Sequence, residues 1–195
     1  MSDRQTALYY DDNAAAYAGA TLSLSMDGPL RVFSSSLLPA ARILDLGCGS
    51  GRDLRAFRNQ GYNPIGVDVS LGLARYAAQA SMCPIVVADM LDLPFQDSSF
   101  DAVWASASIL HIARREMPRA LREIRRVLKE GGIAFSSLKI GEGEVRTLDS
   151  RFFTYVMPDE WRALLVQSGF NDVTIEIDQV PSPKTGEKWV RSLAR

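Results

Sequence analysis

Three glycines at two-residue intervals, Gly47, Gly49 and Gly51, follow the run Ile43-Leu44-Asp45-Leu46. Glycine accepts the left-handed backbone of a tight turn and lets a ligand approach main-chain groups. An apolar run ending in such a turn predicts a strand passing into a helix, with a ligand at the sheet's carboxyl edge. The spacing is G-x-G-x-G, followed by Arg52 and Asp53, and differs from the dinucleotide pattern G-x-G-x-x-G. Taken alone it is also compatible with a plain tight turn. Asp68 ends a second run, Gly66-Val67-Asp68-Val69-Ser70, 21 residues past Gly47. A carboxylate there can accept hydrogen bonds from both hydroxyls of a ribose; its bland alternative is a helix N-cap, a role that Ser70 already fills. Asp89 closes a third run, just before Met90, and can accept from an exocyclic amine; alone it is equally a strand-ending acid. His111, in Ser108-Ile109-Leu110-His111-Ile112, is the only histidine and the natural candidate base near neutral pH. Its alternative is to cap or pack the helix that follows.

These residues need elements to hold them. Strands are expected at 42–46, 64–68, 84–88, 100–105 and 133–139, with helices at 52–60, 71–80 and 118–129 between them. Ile65-Gly66-Val67 and Ile85-Val86-Val87 are continuously apolar, the mark of parallel strands covered on both faces. Regular β-α-β alternation predicts an α/β fold, a doubly wound and mostly parallel sheet with right-handed crossovers. A helix at 159–167 is capped by Ser168-Gly169, and strands at 173–180 and 188–193 flank the turn cluster at 181–186. That pair predicts an antiparallel hairpin at a sheet edge. A helix at 6–18 precedes the first strand and can lie over the sheet's carboxyl edge as a lid.

Taken in order, ILDLGCGSG, GVDVS, VVADMLDLPFQDSSFDAVWA and ALREIRRVLKEGG resemble the class I S-adenosylmethionine-dependent methyltransferases, small bacterial type, near the ubiquinone/menaquinone-type methylases. The resemblance implies a seven-stranded sheet whose C-terminal strand is antiparallel. It implies one methyltransferase domain over 1–195, with N-terminal lid helices (1–40), a cofactor-binding core (41–139), and a substrate loop with the C-terminal hairpin (140–195). S-adenosyl-L-methionine is the implied cofactor. Asp45 and the Gly47–Gly51 backbone would hold its methionine end. Asp68, with Val69 beside it, would take the ribose, Asp89 and the Met90 amide the adenine, and the Ala105 carbonyl would lie near the amino group. Tyr9 and Tyr17 resemble lid tyrosines; the alternative is that they anchor the helix. Tyr10, Arg151, Phe152, Phe153 and Tyr155 would wall a substrate pocket, with Arg151 able to pair an anionic group; alternatively those aromatics tuck into the core. Cys48, inside the glycine turn, reads as a small packing residue.

The 195 residues carry 22 basic and 23 acidic side chains, a net charge of −1. So balanced a chain has no global field to gather nucleic acid or an anionic membrane. Arg114–Lys129 is rich in arginine, but Met117, Leu121, Ile124 and Leu128 form its buried stripe and the charges read as its solvated face. Two cysteines and one histidine exclude a disulfide framework and make a metal site unexpected. The first residues lack a signal-peptide core, so a cytoplasmic protein is expected; the chain beyond the core fold is short, with no inserted cap, and a small-molecule substrate is expected. An RNA-base methyltransferase acting with a partner, an NAD-dependent reductase and a non-catalytic cofactor-binding regulator are the rival readings.

Overall fold

The computed structural model describes residues 3–180 and 186–195. The expected turn at 181–186 therefore falls, apart from Gly186, outside the described residues. In chain order the elements are α1 (Arg4–Asp12), α2 (Ala14–Thr21), α3 (Asp27–Ser34), β1 (Arg42–Leu46), α4 (Arg52–Asn59), β2 (Asn63–Asp68), α5 (Leu71–Ser81) and β3 (Ile85–Val87). They continue with β4 (Phe100–Ser106), α6 (Met117–Val127), β5 (Leu128–Lys139), β6 (Glu144–Arg146), β7 (Phe152–Thr154), α7 (Pro158–Gln167), β8 (Val173–Ile177) and β9 (Trp189–Ala194).

Seven strands form one sheet in the order β3-β2-β1-β4-β5-β9-β8. Pairing is parallel from β3 to β5, and β9 runs antiparallel to both β5 and β8. The hairpin does lie at one edge, but its C-terminal strand is inserted between β5 and β8. The order reverses between β1 and β4, and the crevice where ligands bind such sheets opens there. The continuously apolar strands are covered on both sides, as their sequence requires. On one face Leu44, Leu46, Val103 and Leu138 pack against α6 and α7 through Leu121, Ile124, Trp161 and Leu165. On the other, Ile43, Trp104 and Phe135 pack with Phe33 and Phe57, and the Trp104 and Phe135 rings stack at 3.9 Å.

The N-terminal segment departs from expectation in two ways. The helix expected at 6–18 is two helices, broken at Asn13, which leaves helical geometry at φ −108° and ψ 14° while its backbone and side-chain amides both donate to the Tyr9 carbonyl, at 3.0 and 2.9 Å. And α3 is no part of the lid, because Leu30 and Phe33 are buried in the core on the far face of the sheet. The segment 140–157, expected as a loop, contains the β6–β7 hairpin.

α1 is bolted down from both ends. Asp3 caps its first turn through the Thr6 amide at 2.8 Å, and Arg146 of β6 grips both oxygens of Asp3 at 3.0 and 2.7 Å. The Arg146 guanidinium, followed by the capping amide, holds Asp3 down to about 2 despite partial burial. At the other end Asp11 Oδ1 accepts from Ser70 Oγ at 2.7 Å and from the Gly72 amide at 2.8 Å, at the N-terminus of α5. Removing that carboxylate (Asp11→Ala) is expected to cost about 1–2 kcal/mol and to speed amide exchange in α1 while leaving β1 and β4 protected. Exchange rates of α1 equal to wild type would overturn this.

Candidate active site

β1 ends in a turn in which Gly47, Gly49 and Gly51 all have positive φ, at 73°, 54° and 79°. The turn is stitched internally. The Gly47 and Cys48 amides donate to the Val67 carbonyl at 2.8 and 3.0 Å, the Gly49 amide to Asp68 Oδ2 at 2.8 Å, and the Gly51 amide to the Cys48 carbonyl at 3.0 Å. The main-chain donors expected to hold a ligand are thus largely used by the fold itself. Gly51 caps α4, and a β-carbon there would fall 2.8 Å from the Ala77 backbone, so its role is close helix packing. Cys48 is buried beneath the turn, and burial raises its thiol, which leaves it a packing residue.

Asp68 accepts from the Gly49 amide on one oxygen and from the Ser70 amide, at 2.9 Å, on the other. Burial raises it to about 6 against the opposing pull of these amides. Each oxygen keeps a lone pair for a further donor. Asp45 is buried, and its Oδ2 has no partner among the described residues. Burial and the neighbouring Asp53 push it well above the ordinary carboxylate range. Asp53 itself is gripped by Arg52 through two bonds, at 2.7 and 2.8 Å, and accepts from the Trp104 indole at 2.9 Å.

Above the turn lies His111. Its Nδ1 stands 2.8 Å from the Phe152 carbonyl and its Nε2 2.9 Å from the Tyr10 hydroxyl. A carbonyl only accepts, so the proton sits on Nδ1 and Nε2 receives the Tyr10 O–H. Burial, followed by the charges of Arg151 and Lys139, lowers His111 to about 4 against the Phe152 carbonyl, so it is neutral near pH 7. Tyr10 also packs edge-on against Tyr9, Tyr17 and His111.

One cavity joins these groups, with about 650 Å³ of empty space counting its open mouth. Of the residues expected from the sequence, Tyr10, Tyr17, Gly47, Gly49, Asp68, Val69, Met90 and His111 line it. The others stand around it or away from it. Asp45 lies under the turn, and Ala105 is fully buried in the core. Asp89 accepts from the Leu91 amide at 2.9 Å. Tyr9 is covered by the Arg151 guanidinium at 4.9 Å, and Arg151 is paired with Asp149. Phe152 serves through its backbone, its carbonyl on His111 and its amide on Thr6 Oγ1 at 2.8 Å. Phe153 is 5% exposed in the main core, with Lys139 4.0 Å above its ring. Tyr155 is half-buried, and its carbonyl accepts from Arg114 at 2.5 Å. Of the residues expected to wall a substrate pocket, Arg151, Phe152, Phe153 and Tyr155 thus do not line this cavity, and Phe153 packs in the core. Ser108, Thr6 and Asp3 also line the cavity and were not anticipated. The capping spacing Asp3…Thr6 was a local signal; nothing local marked Ser108.

Residues 44–136 match a family described as a methyltransferase domain. Over that segment, a little under half of its length, the chain is similar to a methyltransferase domain. The unpartnered oxygen of Asp45, the open lone pairs of Asp68 and the glycine turn between them are polar groups left available at this edge of the sheet. A putative methyltransferase of Encephalitozoon cuniculi is 36% identical over 127 residues, 64% of this chain and 57% of that protein. The malonyl-[acyl-carrier protein] O-methyltransferase of Pseudescherichia vulneris is 33% identical over 137 residues, 66% of this chain and 54% of that protein. The chain thus spans little more than half the length of these relatives. In three dimensions this chain resembles the Burkholderia thailandensis 1,6-didemethyltoxoflavin-N1-methyltransferase, with a TM-score of 0.79 over 97% of this chain and 87% of that one, at 22% identity. That likeness shows the fold alone.

Proposed function

We propose that this chain transfers a methyl group from S-adenosylmethionine to a small-molecule nucleophile. The observation that carries the reading is a single cavity bounded at once by the glycine turn, Asp68 and the Tyr10–His111 pair. The cofactor, when bound, supplies an activated methyl group open to in-line displacement. The chain's own residues bind, align and keep water out. Asp68 takes the ribose hydroxyls, Met90 and Asp89 border the adenine, and Asp45 serves the methionine end. Tyr10 and Tyr17 roof the site. The Tyr10 O–H points to His111 Nε2, and the Tyr10 oxygen, which also meets the Arg151 guanidinium, keeps one lone pair as an acceptor. A nucleophile's proton reaches His111 through that hydroxyl. A histidine titrating near 4 accepts a proton only from a strongly acidic group, which an O–H or N–H becomes as it bonds to the methyl carbon.

Two features support a small acceptor. The cavity is covered by α1, which the Asp3–Arg146 and Asp11 contacts hold in place. And three basic residues in and beside α6 are engaged within the protein: Arg126 bonds Glu123, Asp97 and the Leu93 and Phe95 carbonyls, Arg114 before the helix pairs with Glu160, and Lys129 after it with Asp101. Such side chains have few donors left for phosphates.

The test is calorimetric titration with S-adenosylhomocysteine and with NADH, followed by transfer from a labelled methyl donor to small-molecule and RNA pools. Micromolar binding of the first ligand only, with label in the small-molecule pool, is expected. Label in RNA would replace the acceptor class; binding without transfer to any pool would favour a regulatory domain. Within this reading His111→Ala is expected to lower turnover about 100-fold, with S-adenosylhomocysteine affinity unchanged. Turnover equal to wild type would remove His111 from the mechanism.

A further inference from the structure

Two consecutive residues where β7 begins, Arg151 and Phe152, reach one pair of side chains from opposite ends. The Phe152 carbonyl lies 2.8 Å from His111 Nδ1, and the Tyr10 hydroxyl lies 2.9 Å from His111 Nε2. The Arg151 guanidinium in turn meets the Tyr10 oxygen. Arg151, Tyr10, His111 and Phe152 thus form a row of hydrogen-bonding groups whose two ends are neighbours in the chain.

The ends of this row have no choice of role. A guanidinium only donates, and a carbonyl only accepts. The middle groups do have a choice, since a phenol and a neutral imidazole can each donate and accept. The fixed ends decide it. The Tyr10 O–H cannot donate to Arg151, so it turns to Nε2. With Phe152 accepting, the ring keeps its proton on Nδ1. The bonds run one way, from Arg151 to Tyr10 to His111 to Phe152.

Arg151 is itself held in place, although it is not among the residues lining the cavity. Its Nε and Nη2 bond Asp149 at 3.1 and 2.8 Å, which leaves Nη1 outside that grip. The guanidinium lies over the rings of Tyr9 and Phe153, at 4.9 and 5.4 Å. The turn that delivers it is strained. Ser150 is a non-glycine with φ of 71°, a conformation that persists only where its surroundings hold it. Its amide donates to the Thr147 carbonyl at 2.9 Å, and its carbonyl accepts from Arg146 at 2.8 Å.

We propose that Arg151 is a positioning residue for the Tyr10–His111 pair: by filling one lone pair of the Tyr10 oxygen it turns the Tyr10 O–H onto His111 Nε2, and it leaves the other lone pair to accept the N–H or O–H of the molecule being methylated. This rests on the methyl-transfer reading above and adds what gives the proton path its direction. The acceptor's proton moves onto the Tyr10 oxygen as the phenol's own proton moves onto Nε2. Tyr10 ends neutral, and His111 ends as an imidazolium that returns the proton to water.

His111 is the only histidine, so its ring-nitrogen NMR signals report the row directly. The full chain is compared as wild type, Arg151→Lys, Arg151→Gln and Tyr10→Phe at neutral pH. Each is also titrated with S-adenosylhomocysteine and assayed for labelled methyl transfer from S-adenosylmethionine into small-molecule and RNA pools. Lysine, like arginine, only donates, whereas the glutamine carbonyl accepts and can draw the Tyr10 O–H away. The Nε2 signal of wild type and Arg151→Lys is expected where a nitrogen accepts a hydrogen bond. In Arg151→Gln it is expected to move to the position that Tyr10→Phe defines, where that donor is gone. Transfer is expected to fall about tenfold in Arg151→Gln, as the loss of one aligned hydrogen bond does. It should stay within about threefold in Arg151→Lys, where a donor-only cation is kept. Affinity for S-adenosylhomocysteine should be unchanged in both. A wild-type Nε2 signal in Arg151→Gln would overturn the proposal. So would equal losses of transfer in the two variants, or affinity that falls in parallel with transfer, either of which marks a structural role. Wild-type protein that labels neither pool would remove the methyl-transfer reading and this role with it. A wild type that transfers, with Nε2 indifferent to residue 151, would remove this role alone.

Discussion

Asp68→Ala is expected to weaken S-adenosylhomocysteine binding about 100-fold, the loss of two hydrogen bonds to a charged acceptor at about 1.5 kcal/mol each. The carboxylate is held rigidly by the Gly49 and Ser70 amides, so a ribose meets it without reorganisation. The same geometry predicts a pH dependence. Burial raises Asp68 from 3.8 to about 6, so its ionisation opposes folding of the free protein. That penalty of about 3 kcal/mol is absent below pH 4, where the carboxyl is protonated in both states, and is fully present above pH 6, so stability falls as pH rises through this window. Ribose hydroxyls donate only to the ionised form with full strength. Affinity should therefore fall as pH drops from 7 to 5, and Asp68→Asn should flatten the profile. An Asp68→Ala variant that folds and binds within threefold of wild type would refute the ribose assignment.

Asp53→Ala is expected to destabilise the fold by about 3–5 kcal/mol, the cost of leaving a buried charge without its partner. The Asp53 side chain is 7% exposed, and it holds the Arg52 guanidinium by two bonds and the Trp104 indole by a third. Removing it strands a mostly buried cation and an indole N–H that stacks in the core between β1 and β5. It lies in the first turn of α4, where a carboxylate also meets the helix dipole favourably. Asp53→Asn keeps the acceptor for Trp104 and should cost roughly half as much. Urea unfolding read by tryptophan fluorescence measures both; a loss below about 1 kcal/mol for Asp53→Ala would show that water replaces the carboxylate.

Much of this site is legible along the chain because its signals are local. The alternation of apolar runs with amphipathic helices, the G-x-G-x-G turn after β1, and Asp68 at the end of β2 each depend on residues within one strand–turn–helix unit. Those are the periods and turn requirements that side-chain chemistry sets directly. The order of the four motifs was enough to indicate a seven-stranded methyltransferase sheet with a late antiparallel strand. The helix broken at Asn13 was less legible, since the break is the non-helical backbone of one residue whose two amides share the Tyr9 carbonyl.

What the tertiary structure decided lies at large sequence separation. Tyr10 and His111 meet across 101 positions, and Thr6 meets Phe152 across 146. Neither pair has a local signature, because the closure that makes them comes from α1 docking on the β6–β7 hairpin. Phe153 and Arg151 read as a substrate wall in sequence, yet burial favours the ring in the core and Asp149 neutralises the arginine. Ser108 was invisible for a different reason. Its aim depends on a left-handed alanine, which the residue type does not announce, held by Ser137 from a neighbouring strand. The sequence by itself determined the sheet, its switch point and the carboxylates at its edge, since local periodicity and turn chemistry suffice for them. Only packing across the crevice decided which side chains face the cavity, because that is settled by contacts between segments distant in the chain.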